Sequence, residues 1–381
     1  MFRYLSCSAA ILAASAAAAS ASPFSYSNDT GGSATFYGQF SPAYTSVDDG
    51  VETTDTFVDN ERSNSRLGFR VFQEFGTGYR AGFRVESALG IRQSGDVSQT
   101  DTPPGVDWDR GDIRWVDLSL QTPNYGTVFL GQGSMSGDGL AEIDLSGTAL
   151  VNHVQASSDL VGSFEFRNAD GTLSGITISD VLTDFDASRR GRIRYDTPKF
   201  YDFTVSVSYG KDILEEDADR EDFYTGASLL YDRTFANDVQ FKAGIGYSRR
   251  DRRPDNGPDV TRNDVFGSAS VLLPSGFSFT ASLGNRETEG VSFDAQYYYL
   301  KAGYEQKWFD IGATALSIDF FAGRDYQQED DESRAWGVGV VQKLDDANAE
   351  FYLGYRHMDY DQRFADFKAI SAFIAGARVQ F

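Results

Sequence analysis

The chain has two histidines, His153 and His357, and one cysteine, Cys7, so acid–base and thiol chemistry have few places to start. Hydrolysis needs a nucleophile beside a positioned base, and neither histidine neighbours a suggestive Ser or Asp motif. A lone cysteine builds neither a disulfide nor a thiolate metal site. No catalytic residue, resident metal or cofactor is therefore assigned. Glu215–Glu216 and Glu329–Asp330–Asp331 read as solvated loop charge, able to hold a divalent cation such as calcium only loosely. The arginines carry more information. In "NSRLGFRVFQEFGTGYRAGFRVESALG" (64–90), Arg66 and Arg70 share one parity, and so do Arg80, Arg84 and Glu86. Leu67, Phe69, Val71, Phe83 and Val85 hold the other. In a strand, period two sends these sets to opposite faces, and rings of like charge on one face bias ion traffic rather than break bonds.

The same alternation recurs along the chain. "SATFYGQFSPAY" (33–44) sets Phe36 and Phe40 against Tyr37 and Gln39, and "FTVSVSYG" (203–210) alternates aromatic or aliphatic residues with Thr and Ser. "VQFKAGIGYS" (239–248) and "ISAFIAGARVQF" (370–381) read the same way. Connections alternate in length. Short ones fall at "FGTG" (75–78), "TPNYG" (122–126), "TPKFYD" (197–202), "TFAND" (234–238), "LPSG" (273–276), "KWFD" (307–310) and "LDDAN" (344–348). Between them lie longer acidic and basic stretches, such as "SVDDGVETTDTFVDNERS", "ILEEDADRED", "RRDRRPDNGPDVTRND" and "QQEDDES". The pattern predicts sixteen antiparallel strands in an up-and-down meander, with both termini on the short-turn side.

Arg3, the alanine-rich run Ala9–Ala19 and the small residues at 19–21 make residues 1–21 a secretory signal peptide. The expected mature chain, 22–381, is one domain without a linker. The formal charge of −22 over the whole sequence argues against a nucleic-acid partner. The aromatic parity has no amphipathic helices to cover it. Lipid demands that all backbone polar groups be paired, which a closed sheet achieves. The expected fold is an all-β transmembrane barrel in an outer membrane, its arginine parity facing an aqueous lumen that sixteen strands leave too wide to fill. A soluble β-sandwich is the alternative. Tyr125, Tyr201, Trp308 and Phe309, near the short turns, are expected to form an interfacial girdle.

One connection, residues 133–188, breaks the rhythm. Leu140, Ile143, Leu145, Phe164, Phe166, Ile176, Ile178 and Val181 require something to pack against, so it is expected to fold into the lumen. Within it "SFEFRNADGTLSGITISD" reads as a hairpin, which as two wall strands would raise the number to eighteen.

The order of "ATFYGQF" (34–40), "SRLGFRVFQEFGTGYRAGFRVE" (65–86), "NYGTVFLGQ" (124–132), "SGDGLAEIDLSG" (136–147), "RIRYDTPKFYDFTVSVSYG" (192–210) and terminal "GARVQF" resembles the general bacterial porins, sixteen-stranded and trimeric, of an alphaproteobacterial type. The resemblance implies a homotrimer in outer-membrane lipid and lipopolysaccharide, passing small hydrophilic solutes and ions by passive diffusion. It also implies an inward third loop whose acids, here Asp138, Glu142 and Asp144, face a ladder of wall arginines. Arg66 and either Arg192 or Arg194 match that ladder, Arg84 shares the lumen parity of its strand, and Arg114 would match a further family arginine. Arg114 is contested, because it shares the parity of Val116, Leu118 and Leu120, which reads as lipid-facing. The acidic loops predict a mild cation preference. A substrate-specific channel for sugars or anions is the alternative function, with a barrel-borne hydrolase behind it.

Overall fold

The computed structural model describes residues 24–214, 220–254 and 257–381; the signal segment with Cys7 and the Glu215–Glu216 pair lie outside the described residues. Sixteen strands form a closed antiparallel wall. They are β1 (Gly32–Phe40), β2 (Arg66–Phe75), β3 (Tyr79–Ala88), β4 (Ile113–Thr122) and β5 (Gly126–Ser134), followed after the long connection by β6 (Arg189–Asp196) and β7 (Phe203–Lys211). The longer strands are β8 (Arg220–Thr234), β9 (Gln240–Pro254), β10 (Val260–Leu272), β11 (Phe277–Thr288), β12 (Ala295–Phe309), β13 (Gly312–Arg324), β14 (Glu332–Leu344) and β15 (Ala349–Gln362), and β16 (Ile370–Gln380) closes the ring.

Closure runs through the chain end. Gln39 and Phe40 of β1 pair with Gln380 and Val379 of β16, and Gly38 and Phe381 exchange both backbone hydrogen bonds at 3.1 Å. Past Ser41 the first strand continues as Pro42–Asp48, which also pairs with β16. The short strand Phe24–Ser27 takes up the edge of β1 below that closure. A barrel without edges leaves no backbone group to lipid.

All seven short turns lie where the sequence places them. In the first, Gly76 and Gly78 both take positive φ, which a side chain resists. The charged stretches opposite are more ordered than loops. β9 runs up to Pro254 and β10 starts at Val260, so most of "RRDRRPDNGPDVTRND" is strand. Within "SVDDGVETTDTFVDNERS", Thr53–Asp59 is a strand that pairs with Pro42–Asp48. β8, β9 and β12 are each 15 residues long, against the ~9–11 a tilted strand needs to cross a bilayer. Charged hairpins therefore stand above the membrane as continued sheet.

The apolar parity faces outward: Leu67, Phe69, Phe83, Leu118, Ile245 and Phe373 are exposed on the outer surface, as are Tyr125, Tyr201, Trp308 and Phe309 at the short-turn end. The inner parity does not everywhere meet water. Residues 135–188 enter the barrel and pack against β10–β16. Leu140, Ile143, Val151, Phe164, Phe166, Ile178, Val181 and Phe185 form one buried core with Phe266, Tyr297, Phe321, Tyr352, Met358 and Ile374 of that wall. The Phe185 ring meets Tyr297 edge-on at 5.2 Å, and Phe166 lies 5.5 Å from Tyr360.

An irregular segment buried this way must satisfy its own N–H and C=O groups, and wall serines do so. Ser268 Oγ accepts from Ile143 N and donates to Leu140 O; Ser270 Oγ accepts from Leu145 N; Ser282 Oγ donates to Ala141 O; Ser333 Oγ donates to Val181 O. The small polar parity of these strands binds the loop rather than lining the bore. The expected hairpin forms as Glu165–Asn168 and Leu173–Thr177, but inside the barrel, where it pairs with Ala365–Lys368 of the last loop. The wall therefore has sixteen strands, not eighteen.

Two buried ion pairs lock this half. Lys301 Nζ donates to Asp144 Oδ2 at 2.7 Å and to Asn152 O at 2.5 Å. Arg356 pairs with Asp319 at 2.6 Å, and Tyr299 Oη donates to the same carboxylate. Both members of the second pair are almost fully buried. Asp319→Ala, which leaves Arg356 without its carboxylate, is expected to cost about 3–5 kcal/mol, read as a lowered denaturant midpoint of the detergent-solubilised protein; an unchanged midpoint would refute the lock.

Candidate functional site

The opposite half, β1–β6, keeps open space beside charge. A cavity of about 330 Å³ is lined by Tyr37, Arg66, Arg70, Arg84, Arg114 and Arg189, with Glu86 and Trp115 among them. A second, of about 290 Å³, continues past Arg114 and Arg189 to Gln93, Asp112 and Asp212. β2 and β3 supply the centre of the site because Arg70 and Arg84 are direct cross-strand partners. Like charges opposite one another are unfavourable, and one carboxylate offsets them. Glu86 accepts from Arg84 at 2.6 Å, from Arg114 at 2.8 Å and from Tyr37 Oη at 2.7 Å, with Arg66 at 3.7 Å. Glu86 is only 2% exposed.

Arg114 faces this cavity, against its parity with Val116. The cause is a β-bulge: Glu86 pairs with Trp115 and Ser87 with Ile113, so Arg114 is the unpaired extra residue. The bulge turns Arg114 and Trp115 inward together while Val116, Leu118 and Leu120 stay outside. Alternation cannot reveal a skipped residue.

Arg192 and Arg194 have other partners. Arg192 pairs with Asp117 at 2.7 Å and donates to the carbonyls of Gly131 and Ser134. Arg194 pairs with Asp196 and donates to Met135 O. Both hold the point where the chain leaves the wall for the interior. Arg189, at the far end of that excursion, lines both cavities. It was not singled out from the sequence, because strand parity gives no direction at a loop exit.

The loop acids divide. Asp144 points to Lys301, away from the arginine cavity; burial disfavours its charge, but the ammonium overrides this and holds its carboxyl below the usual range. Glu142 pairs at 2.7 Å with Arg62, a cation the pattern did not mark. Asp138 lies close enough to Asp186 to raise that residue's carboxyl, after burial, Glu142 and Asp184. Asp186 accepts from Gly139 N and Ala141 N, folding the loop around itself. Burial and Glu142 push Asp184 well up, and burial pushes Asp159 up to about 6.

His153 is 3% exposed, 3.1 Å from Asp159; burial and Arg62 hold it well below its usual range. On the outer face His357 Nδ1 lies 2.9 Å from Ser371 Oγ, and its Nε2 lies 3.4 Å from Asp359. No motif marks this line of three, because the strands that carry Ser371 and His357 meet only in the folded sheet. Acyl transfer also needs donors for an oxyanion, and the backbone around Ser371 is spent in ladders on both sides. Asp331 accepts from Tyr326 N, Gln327 N, Gln328 N and Tyr360 Oη. Among the described residues no three acidic, histidine or cysteine side chains are placed to hold a metal ion.

Two measurements test this geometry. With Cys7 replaced by serine, Arg114→Cys is expected to react with a charged, membrane-impermeant thiol reagent and lower conductance, while Val116→Cys stays unreactive. Equal protection of both would refute the bulge. Asp159, whose folded carboxyl titrates near 6 against 3.8 for the free group, holds its proton more tightly when folded. Its contribution is thus favourable at low pH and is lost as pH rises from about 4 to about 6. The stability difference between the parent and Asp159→Asn should fall across that window in thermal unfolding, and a flat difference would remove this role.

The model of the Gram-negative porin family matches residues 7–363. Among solved structures, the anion-selective porin from Comamonas acidovorans is 18% identical, the match covering 92% of this chain and 100% of that one at a TM-score of 0.64. OmpT of Vibrio cholerae in its trimer form is 18% identical over 92% and 99% of the two chains, TM-score 0.56. OmpF of Salmonella typhi is 14% identical over 93% and 99%, TM-score 0.56. Identities this low speak for the fold alone, and no curated protein sequence matches the chain. A closed sixteen-stranded wall, a lumen lined by arginines and a family match over nearly the whole length lead to one conclusion: the chain belongs to the Gram-negative porin family and forms an outer-membrane channel for passive diffusion.

Proposed function

We propose that the protein works as a homotrimeric diffusion channel, without enzymatic activity, whose arginine wall favours anions among small hydrophilic solutes. Residues 1–21 are removed on export, and residues 133–188 set the waist. Arg66, Arg84 and Arg114 form its basic side; Glu142 and Asp138 carry its acidic side. Arg192 and Arg194 fasten the loop's entry, and Asp144 fastens its middle. The observation that carries this reading is the sharing of the single Glu86 carboxylate by three guanidiniums. Arg70 and Arg189 have no carboxylate within ion-pair distance among the described residues. The surplus positive charge in the bore outweighs the cation preference expected from the total of −22, because solvated loop charges beyond a Debye length of ~8 Å are screened. The Comamonas relative is itself anion-selective, and the Vibrio relative is recorded as a trimer. Exposed acids at the rim, Glu329 and Asp330 among them, offer loose contacts for divalent cations and, through these, for lipopolysaccharide phosphates.

The test is single-channel recording in planar bilayers. Expected are closures in three equal steps and, in a potassium chloride gradient, a reversal potential favouring chloride. Replacing Arg66, Arg84 and Arg114 by glutamine should move that potential toward potassium; no movement would end the proposed role of these residues.

A further inference from the structure

The arginines of the open wall do not stand free in the bore. Arg70 Cζ lies 4.2 Å from the centroid of Tyr37, Arg84 Cζ 3.9 Å from that of Trp115, and Arg80 Cζ 3.8 Å from that of Phe72. The first two rings rest on bare backbone. A Cβ on Gly68 would come within 2.2 Å of the Tyr37 ring, and one on Gly133 within 2.6 Å of Trp115. Glycine is needed at both places so that the ring can lie against the wall. The order of exposure follows the stack: Gly68 is buried, Tyr37 half-buried and Arg70 exposed.

A guanidinium held over a ring has one face covered, while its other face and its N–H edges are left toward the lumen. Its plane is already oriented, so little rotamer freedom remains to be lost when something binds. Edge and face ask for different chemistry. The edge takes a carboxylate, ideally through two parallel N–H···O bonds. The face takes a flat π-system. Glu86 meets part of the edge demand of Arg84 and Arg114, and Tyr37 Oη accepts from Arg84 Nε as well, whereas Arg70 and Arg189 bring positive charge without a paired carboxylate among the described residues. The cavity of about 330 Å³ falls within the ~300–1,000 Å³ typical of small-molecule sites.

We propose that this shelf of ring-backed arginines is a binding station for planar aromatic carboxylates, which satisfy edge and face together. The inference rests on the channel reading above and narrows its substrate class. An aliphatic carboxylate finds only the edges, and chloride finds only the charge.

Benzoate and cyclohexanecarboxylate separate these contributions, since both carry one carboxylate on a six-membered ring and only benzoate is flat and aromatic. Each is titrated against chloride current through the full-length, detergent-purified protein in planar bilayers. Benzoate is expected to half-block the current at about fivefold lower concentration than cyclohexanecarboxylate. Arg70→Lys and Arg84→Lys keep a cation and remove its plane, so either should bring that ratio close to one. Equal half-block concentrations in the unsubstituted protein would overturn the inference, a comparison that needs no variant to fold. A fivefold ratio persisting in both lysine variants would overturn the shelf as its source. A protein that forms no conducting channel would instead overturn the channel reading, which separates that failure from this one.

Discussion

Backbone N–H and C=O groups shut away from water must find partners, and this structure answers that constraint twice. On the outside there is only hydrocarbon, so the sheet closes on itself through Gly38 and Phe381 and leaves no edge. Inside, a long irregular segment lies against the wall, and hydroxyls of inward-facing serines serve its amides and carbonyls. The first answer makes the bore; the second divides it. Without the serines the loop would bury unmatched polar groups at ~1–3 kcal/mol each and would be driven back toward solvent.

The division explains how one polar parity serves two purposes. Against β10–β16 the interior is dry, and charges survive there only as tight pairs, Lys301 with Asp144 and Arg356 with Asp319. Along β1–β6 it is open, and cations outnumber the carboxylates that hold them. The wet side can carry unbalanced charge because water and mobile ions screen it, whereas the dry side cannot. Glu86 works on the open side, its buried carboxylate fixing three arginines in place while leaving them a net positive field.

The strand count, the seven tight turns, the outward face of each strand and the entry of the long connection were legible in the sequence. Each rests on a period of two, a turn residue or an apolar residue in a long connection. Arg66 and Arg84 were legible for the same reason. Arg114 was legible only through the resemblance and against its parity, because the bulge between Ile113 and Trp115, opposite Ser87 and Glu86, reverses its direction without changing the alternation around it. Arg62, Arg189 and Lys301 were missed because their roles depend on what stands opposite them. Asp144 and Glu142, two residues apart, meet cations from different parts of the barrel.

Sequence alone determined that this chain is a lipid-facing barrel with arginines on its inner face, since local alternation and the cost of an unpaired polar group in lipid admit few other arrangements. Tertiary structure alone decided which inner residues meet water and which meet the loop, and which guanidiniums lie over rings. Those outcomes depend on contacts between different segments of the chain, such as Arg84 with Trp115, Tyr37 with Glu86 and Ile143 with Ser268. No local pattern encodes them, because the same serine or arginine reads identically whether water or a buried carbonyl stands in front of it.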